Sequence, residues 1–148
     1  MKTIMQYQHR TIVINEKARQ KYDSKSGKVF FKVVRINGKN LQSAVAYGQA
    51  KVVYRLKKWV SPPSWLEEKG YGLTVFADFE TALDFAKGMF SRYAIYACKV
   101  DGIFESLPLY AEIVELANGR LAYVPRKWWN GTIMVKKVKL LQKIADVF

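Results

Sequence analysis

The run Lys28-Val29-Phe30-Phe31-Lys32-Val33-Val34-Arg35 leads into Asn37-Gly38, and this feature constrains the fold more than any other in the chain. β-Branched and aromatic side chains suit a pleated, half-buried surface, and Asn-Gly supplies the positive φ angles of a tight hairpin. The segment therefore reads as a strand entering a turn. Residues 50–56, 73–77, 93–100, 111–116 and 120–124 read the same way, with Asn118-Gly119 joining the last two as a second hairpin. One helix is expected over about 79–90. Asp78 can cap it, Glu80 suits its first turn, and Phe79, Ala82, Leu83, Ala86 and Phe90 recur along one apolar face, with Gly88 weakening its end. The fold class is α+β, a mainly antiparallel sheet of about six to eight strands with this helix packed on it. Near the C-terminus Met134, Val138, Leu141 and Ala145 suit a helix, whereas Ile133 and Val135 suit a strand. The reading is a strand to about Leu141 and then a short helical tail.

At 148 residues, half of them apolar, the chain has the length of one domain, and no repeat, low-complexity tract or long linker divides residues 1–148. Cys98 is the only cysteine and lies in the apolar run Tyr93-Ala94-Ile95-Tyr96-Ala97-Cys98, so the reading is a buried, inert thiol. The first ten residues lack the apolar core of a secretory signal, and no segment approaches the ~18 apolar residues of a membrane span. The expectation is a cytoplasmic protein with no membrane partner.

The 25 basic and 12 acidic residues are unevenly spread. Residues 1–60 hold 14 Lys/Arg against 2 acids (+12), residues 61–118 hold 4 against 9 (−5), and residues 119–148 hold 7 against 1 (+6). Such a field attracts polyanions by steering and counterion release, which makes nucleic acid the leading partner class. Lysine enrichment with many Val and Tyr is also a habit of heat-adapted proteins. Strand alternation puts Lys51, Val53, Arg55 and Lys57 on one face and Val52, Tyr54 and Leu56 on the buried one. It likewise sets Lys28 and Lys32 opposite Val29, Phe31 and Val33, and Lys137 and Lys139 on the side of Val135. If these strands are neighbours, a basic sheet surface results.

The expected helix carries Glu80 and Asp84 against Lys87, the wrong sign for a DNA groove, and no zinc-finger ligand set or Gly-aromatic RNA-binding motif is present. Arg126-Lys127-Trp128-Trp129-Asn130-Gly131 joins two cations to two indoles at a turn, a pattern that either stacks bases or covers the edge of a core. Trp59-Val60-Ser61-Pro62-Pro63-Ser64-Trp65 is either a lid or a packed crossover, packing being favoured.

A single histidine, His9, leaves little scope for triads or multi-histidine metal sites, and its default is a solvent-exposed position. Gly70-Tyr71-Gly72 is too sparse in glycine for a phosphate loop and reads as a turn. Glu67-Glu68-Lys69 has the Glu-x-Lys spacing of metal-dependent nucleases, with Asp78 or Asp84 as a second carboxylate, but it lies in a loop instead of the strand such sites use. No metal and no cofactor are expected.

Phe31-Lys32-Val33-Val34, Val53-Tyr54-Arg55-Leu56-Lys57-Lys58-Trp59-Val60 with Pro62, Gly72-Leu73-Thr74-Val75-Phe76, Glu80-x-Ala82-Leu83-Asp84-Phe85-Ala86 and Val100-Asp101-Gly102 together form a layout over residues 28–116. It resembles small uncharacterised proteins of phages, other viruses or mobile elements, a resemblance that carries no activity. The same layout is more distantly similar to divergent ADP-ribosyltransferases. That resemblance implies an NAD-using transferase in which Arg55 holds the phosphates, Thr74 supports the nicotinamide pocket, and Glu112 or Glu115 aligns the transfer. The chain departs from that pattern, since Glu112 and Glu115 replace a closer Glu pair and the Ser-Thr-Ser strand is missing.

The sequence thus favours a non-enzymatic accessory protein that binds nucleic acid backbone with low sequence specificity. Lys28, Lys32, Lys51, Arg55, Lys57, Arg126, Lys127, Lys137 and Lys139 would supply charge, and Trp128 and Trp129 aromatic surface. An NAD-dependent transferase and a viral structural or interaction protein forming a homo-oligomer are the alternatives.

Overall fold

The computed structural model describes residues 1–25, 27–44, 51–115 and 117–148, with 110–115 and 121–126 described at the level of the main chain. Along the chain run β1 (Lys2–Tyr7), β2 (Arg10–Asn15), α1 (Glu16–Asp23), β3 (Phe30–Asn37), β4 (Asn40–Ser43), β5 (Val53–Tyr54) and β6 (Trp59–Val60). There follow α2 (Ser64–Glu68), β7 (Leu73–Phe76), α3 (Phe79–Lys87), β8 (Tyr93–Ile103), β9 (Tyr110–Glu115), β10 (Leu121–Arg126) and β11 (Thr132–Val147). The expected α+β class holds, with a mostly antiparallel sheet and one main helix. That sheet has nine strands, more than expected, and β9 and β10 form a separate antiparallel pair.

Local chemistry places several elements where the sequence puts them. Gly38 takes φ 60° in the turn from β3 to β4, and the register closes at Asn37 opposite Asn40. Asp78 caps α3 by accepting from the Thr81 amide and hydroxyl, both at 2.8 Å. The helix ends at Lys87 with Gly88 as its cap, so Phe90 lies beyond it and is fully exposed, contrary to its expected place on the apolar face. Helix α1 was not anticipated, although its signals exist: Asn15 accepts from the Ala18 amide as N-cap, and Glu16 sits in the first turn. Only Ala18 and Tyr22 of this helix are buried, too thin an apolar stripe to stand out in a sequence.

Strand β11 organises the molecule. One of its sides pairs with β8 from Val135 to Val147. Its other side is shared by β7 at Thr132–Val135, β6 at Val138 and Lys139, and β2 at Ala145–Val147. The expected helical tail after Leu141 is instead strand. Its register against β8 shifts between Leu140 and Gln142 and again between Lys143 and Ala145, so the bulged residues are Leu141 and Ile144. Each extra residue resets the inward-outward alternation, and the buried positions then imitate a helical spacing.

Strand β3 also pairs with β8, and β7 meets β3 through Phe31 and Phe76, so β3, β8, β11 and β7 curl into a closed ring. Both faces of the sheet are therefore buried. Outside the ring, α1 and α3 cover Phe31, Val33, Ile95, Ala97 and Ile144, with the Phe31 and Phe79 rings edge to face at 6.1 Å. Inside it lie Val34, Leu73, Val75, Ala94, Cys98, Val138 and Leu140, joined by Val52 and Tyr54. Gly72 fits at the ring's seam because a Cβ there would stand 2.3 Å from the Val135 carbonyl oxygen. Among the described residues no helix is long and apolar enough to cross a membrane.

Candidate functional site

Between the β6 and β2 pairings, residues 140–144 of β11 have no strand partner on that side among the described residues. The β5–β6 loop leans on this gap, with the Lys57 amide donating to the Leu140 carbonyl at 2.8 Å. Lys57 takes φ 59°, a left-handed conformation that costs an L-residue about 1 kcal/mol or more. From the other side the end of α1 and the turn after it approach. The turn is closed by the Lys28 and Val29 amides donating to the Lys25 carbonyl at 3.0 and 3.1 Å.

The result is an open groove of about 970 Å³, at the upper end of the 300–1,000 Å³ usual for ligand sites. Seven lysines line it: Lys21, Lys25 and Lys28 from the α1 side, Lys57 from the loop, Lys99 from β8, and Lys139 and Lys143 from β11. Among its described lining residues there is no carboxylate. Lys143 reaches Asp146 at 3.1 Å outside the lining, and the ammonium groups of Lys21 and Lys25 lie 5.2 and 5.6 Å from the Tyr22 ring centroid. The floor between the cations is apolar and aromatic, made by Tyr22, Val29, Leu56, Tyr96 and Leu141. Leu56, expected on a buried face, is half exposed here because the strand stops at Tyr54 and the loop turns it outward.

The register on either side of the groove is informative. Lys139 stands directly opposite Lys99 across β11 and β8, while Lys137, two residues away, stands opposite Asp101. Like charges facing each other across a strand pair are destabilising and unlike charges favourable. The compensated pair is thus left out of the groove, and the uncompensated one lines it.

Of the expected cations, Lys28, Lys57 and Lys139 enter this groove. Lys51, Arg55, Lys127 and Lys137 are exposed elsewhere, and Arg126 is placed on β10, in the separate two-stranded sheet. Lys32 does not belong to any surface. It is 4% exposed, inside the ring, donating to the Thr74 carbonyl at 2.6 Å with its ammonium 5.2 Å from the Tyr54 ring centroid. The alternation that set Lys32 toward solvent assumed one wet face, and the curled sheet has none at this point. Burial pulls the Lys32 amine down from 10.5 to about 8 and pushes the Cys98 thiol up to about 12, consistent with an inert, enclosed cysteine.

Both tryptophans of the Arg126-to-Gly131 segment are engaged in packing. Trp128 Nε1 donates to the Pro108 carbonyl at 2.6 Å, and Trp129 packs edge-on against Phe85 at 5.5 Å. Of the residues of the transferase resemblance, Arg55 lies in the β5–β6 loop, Thr74 on β7 with its carbonyl holding Lys32, and Glu112 and Glu115 on β9. Neither Arg55 nor Thr74 is among the described residues that line the lysine groove. Glu67 and Glu68 end the short α2, Lys69 follows as its cap, and no group of three metal-ligating side chains gathers among the described residues. His9 is exposed in the β1–β2 turn. The groove lysines that the sequence reading missed are Lys21, Lys25, Lys99 and Lys143; no local pattern distinguishes them from other surface lysines. The chain matches no protein-family model, no curated protein and no solved structure.

Proposed function

We propose that this protein binds the phosphate backbone of nucleic acid in the lysine groove, without strong base-sequence specificity and without catalysis. The observation that carries this reading is the convergence of seven lysines from α1 and the turn after it, the β5–β6 loop, β8 and β11 on one opening with no carboxylate among its described lining residues. Solvated lysines that serve only solubility need not converge, and they tolerate interspersed acids. A facing Lys99–Lys139 pair carries a repulsion that an anionic ligand would offset. Lysine acts as a point charge with a flexible stem, which suits phosphates spaced along a strand better than a fixed, bidentate contact. Titrating a labelled oligonucleotide over a salt series tests the reading, because phosphate contacts make affinity fall steeply with salt.

A further inference from the structure

We infer that the groove takes a single strand in preference to a duplex, and that Trp59 is the platform on which one of its bases stacks. The inference rests on the groove being a phosphate-binding surface. Three observations carry it beyond charge.

First, between its lysines the groove presents apolar and aromatic surface from Leu56, which is half exposed, and from the partly exposed Tyr96. A duplex offers a protein its phosphates and keeps its base faces stacked on one another, so it has nothing to lay on such a floor. An unpaired strand presents both phosphates and base faces. Second, Trp59 lies outside the groove's lining but next to one of its lysines. It pairs with Lys139 across β6 and β11, and the Lys139 ammonium lies 5.4 Å from the indole centroid. Third, the core does not require this indole. Val60 turns inward to the cluster inside the ring, so Trp59 alternates outward and remains 48% exposed. Trp128 is held by a hydrogen bond, and Trp129, though 45% exposed, packs on Phe85 and is not paired with a groove lysine as Trp59 is. An indole that sits half exposed beside a phosphate-binding cation has the geometry of sequence-tolerant base stacking.

The test is fluorescence anisotropy with a labelled oligothymidylate of about 12 nucleotides and a duplex of the same length, against native protein, Trp59→Ala and Trp59→Phe. The expected result is tighter binding of the single strand, and a loss of about five- to a hundredfold for Trp59→Ala on the single strand alone. Trp59→Phe should keep most of the affinity. Equal affinity for both oligonucleotides, or a Trp59→Ala variant that binds the single strand like native protein, overturns the inference while a steep salt dependence leaves the groove reading standing. Failure of both oligonucleotides to bind at low salt removes the groove reading and this inference together.

Discussion

Lys99 and Lys139 face one another directly across two paired strands, and both line an opening with no carboxylate among its described lining residues. Two positions along the same strands, Lys137 is matched instead by Asp101. Replacing Lys99 with threonine, a good strand former, should raise stability by about 0.2–1 kcal/mol through relief of the repulsion. The same variant should bind oligonucleotide more weakly, with a salt slope reduced by about 1. Chemical denaturation and a binding titration on one preparation check both signs.

Lys57 is a second place where stability and binding should move in opposite directions. Glycine adopts its left-handed backbone without the Cβ penalty, so Lys57→Gly should gain about 1 kcal/mol in denaturant unfolding. It should also lose one phosphate contact, seen as a further reduction of the salt slope by about 1. A variant that is less stable than native protein would show that the lysine side chain, and not the backbone, holds the loop against Leu140.

Inside the ring, the charge of Lys32 works against folding at neutral pH. Its folded pKa lies near 8, below the 10.5 of the unfolded chain, so between these values the unfolded state holds more protons and stability rises with pH. Below pH 8 the amine is charged in both states and the cost of burying that charge is fully present. Lys32→Met should therefore raise stability at pH 7 by on the order of 1–3 kcal/mol, net of the lost bond to the Thr74 carbonyl. The advantage should shrink as pH rises from 8 toward 10.5. Denaturation curves of the two proteins across that range provide the measurement, and a gap that stays constant with pH contradicts the assignment.

Arg10 ties three parts of the fold at their ends. Its guanidinium donates to the carbonyls of Met89 and Ser91 in the α3–β8 connection, of Val147 at the end of β11, and of Phe148 just after it, the last at 2.9 Å. Arg10→Ala should cost about 2–3 kcal/mol and lower Tm by roughly 5–10 °C. Arg10→Lys should recover only part of this, since an ammonium lacks the fork that reaches several carbonyls at once. Thermal melts followed by circular dichroism compare the three proteins.

The parts of this fold that were legible in sequence are those fixed by neighbours in the chain. Asn37-Gly38 sets a hairpin and Asp78 starts a helix because each acts within three residues of itself. Strand β11 was legible only to its first bulge, since nothing in Leu141 or Ile144 announces an extra residue. Lys32 was misplaced because alternation tells which side chains share a face, not whether that face is wet; the answer depends on β7 returning to meet β3. The groove was half visible. Lys28, Lys57 and Lys139 were expected at the surface, but their meeting with Lys21, Lys25, Lys99 and Lys143 depends on α1 and the β5–β6 loop flanking one gap along β11.

The central claim is that these lysines act together on a polyanion, and binding of a labelled oligonucleotide to native protein between 50 and 200 mM salt tests it most directly. Engagement of about five to seven phosphates predicts a slope of log affinity against log salt of roughly −4 to −6, a loss of roughly a thousandfold over that range. A slope near zero, or no binding at the lowest salt, would contradict it.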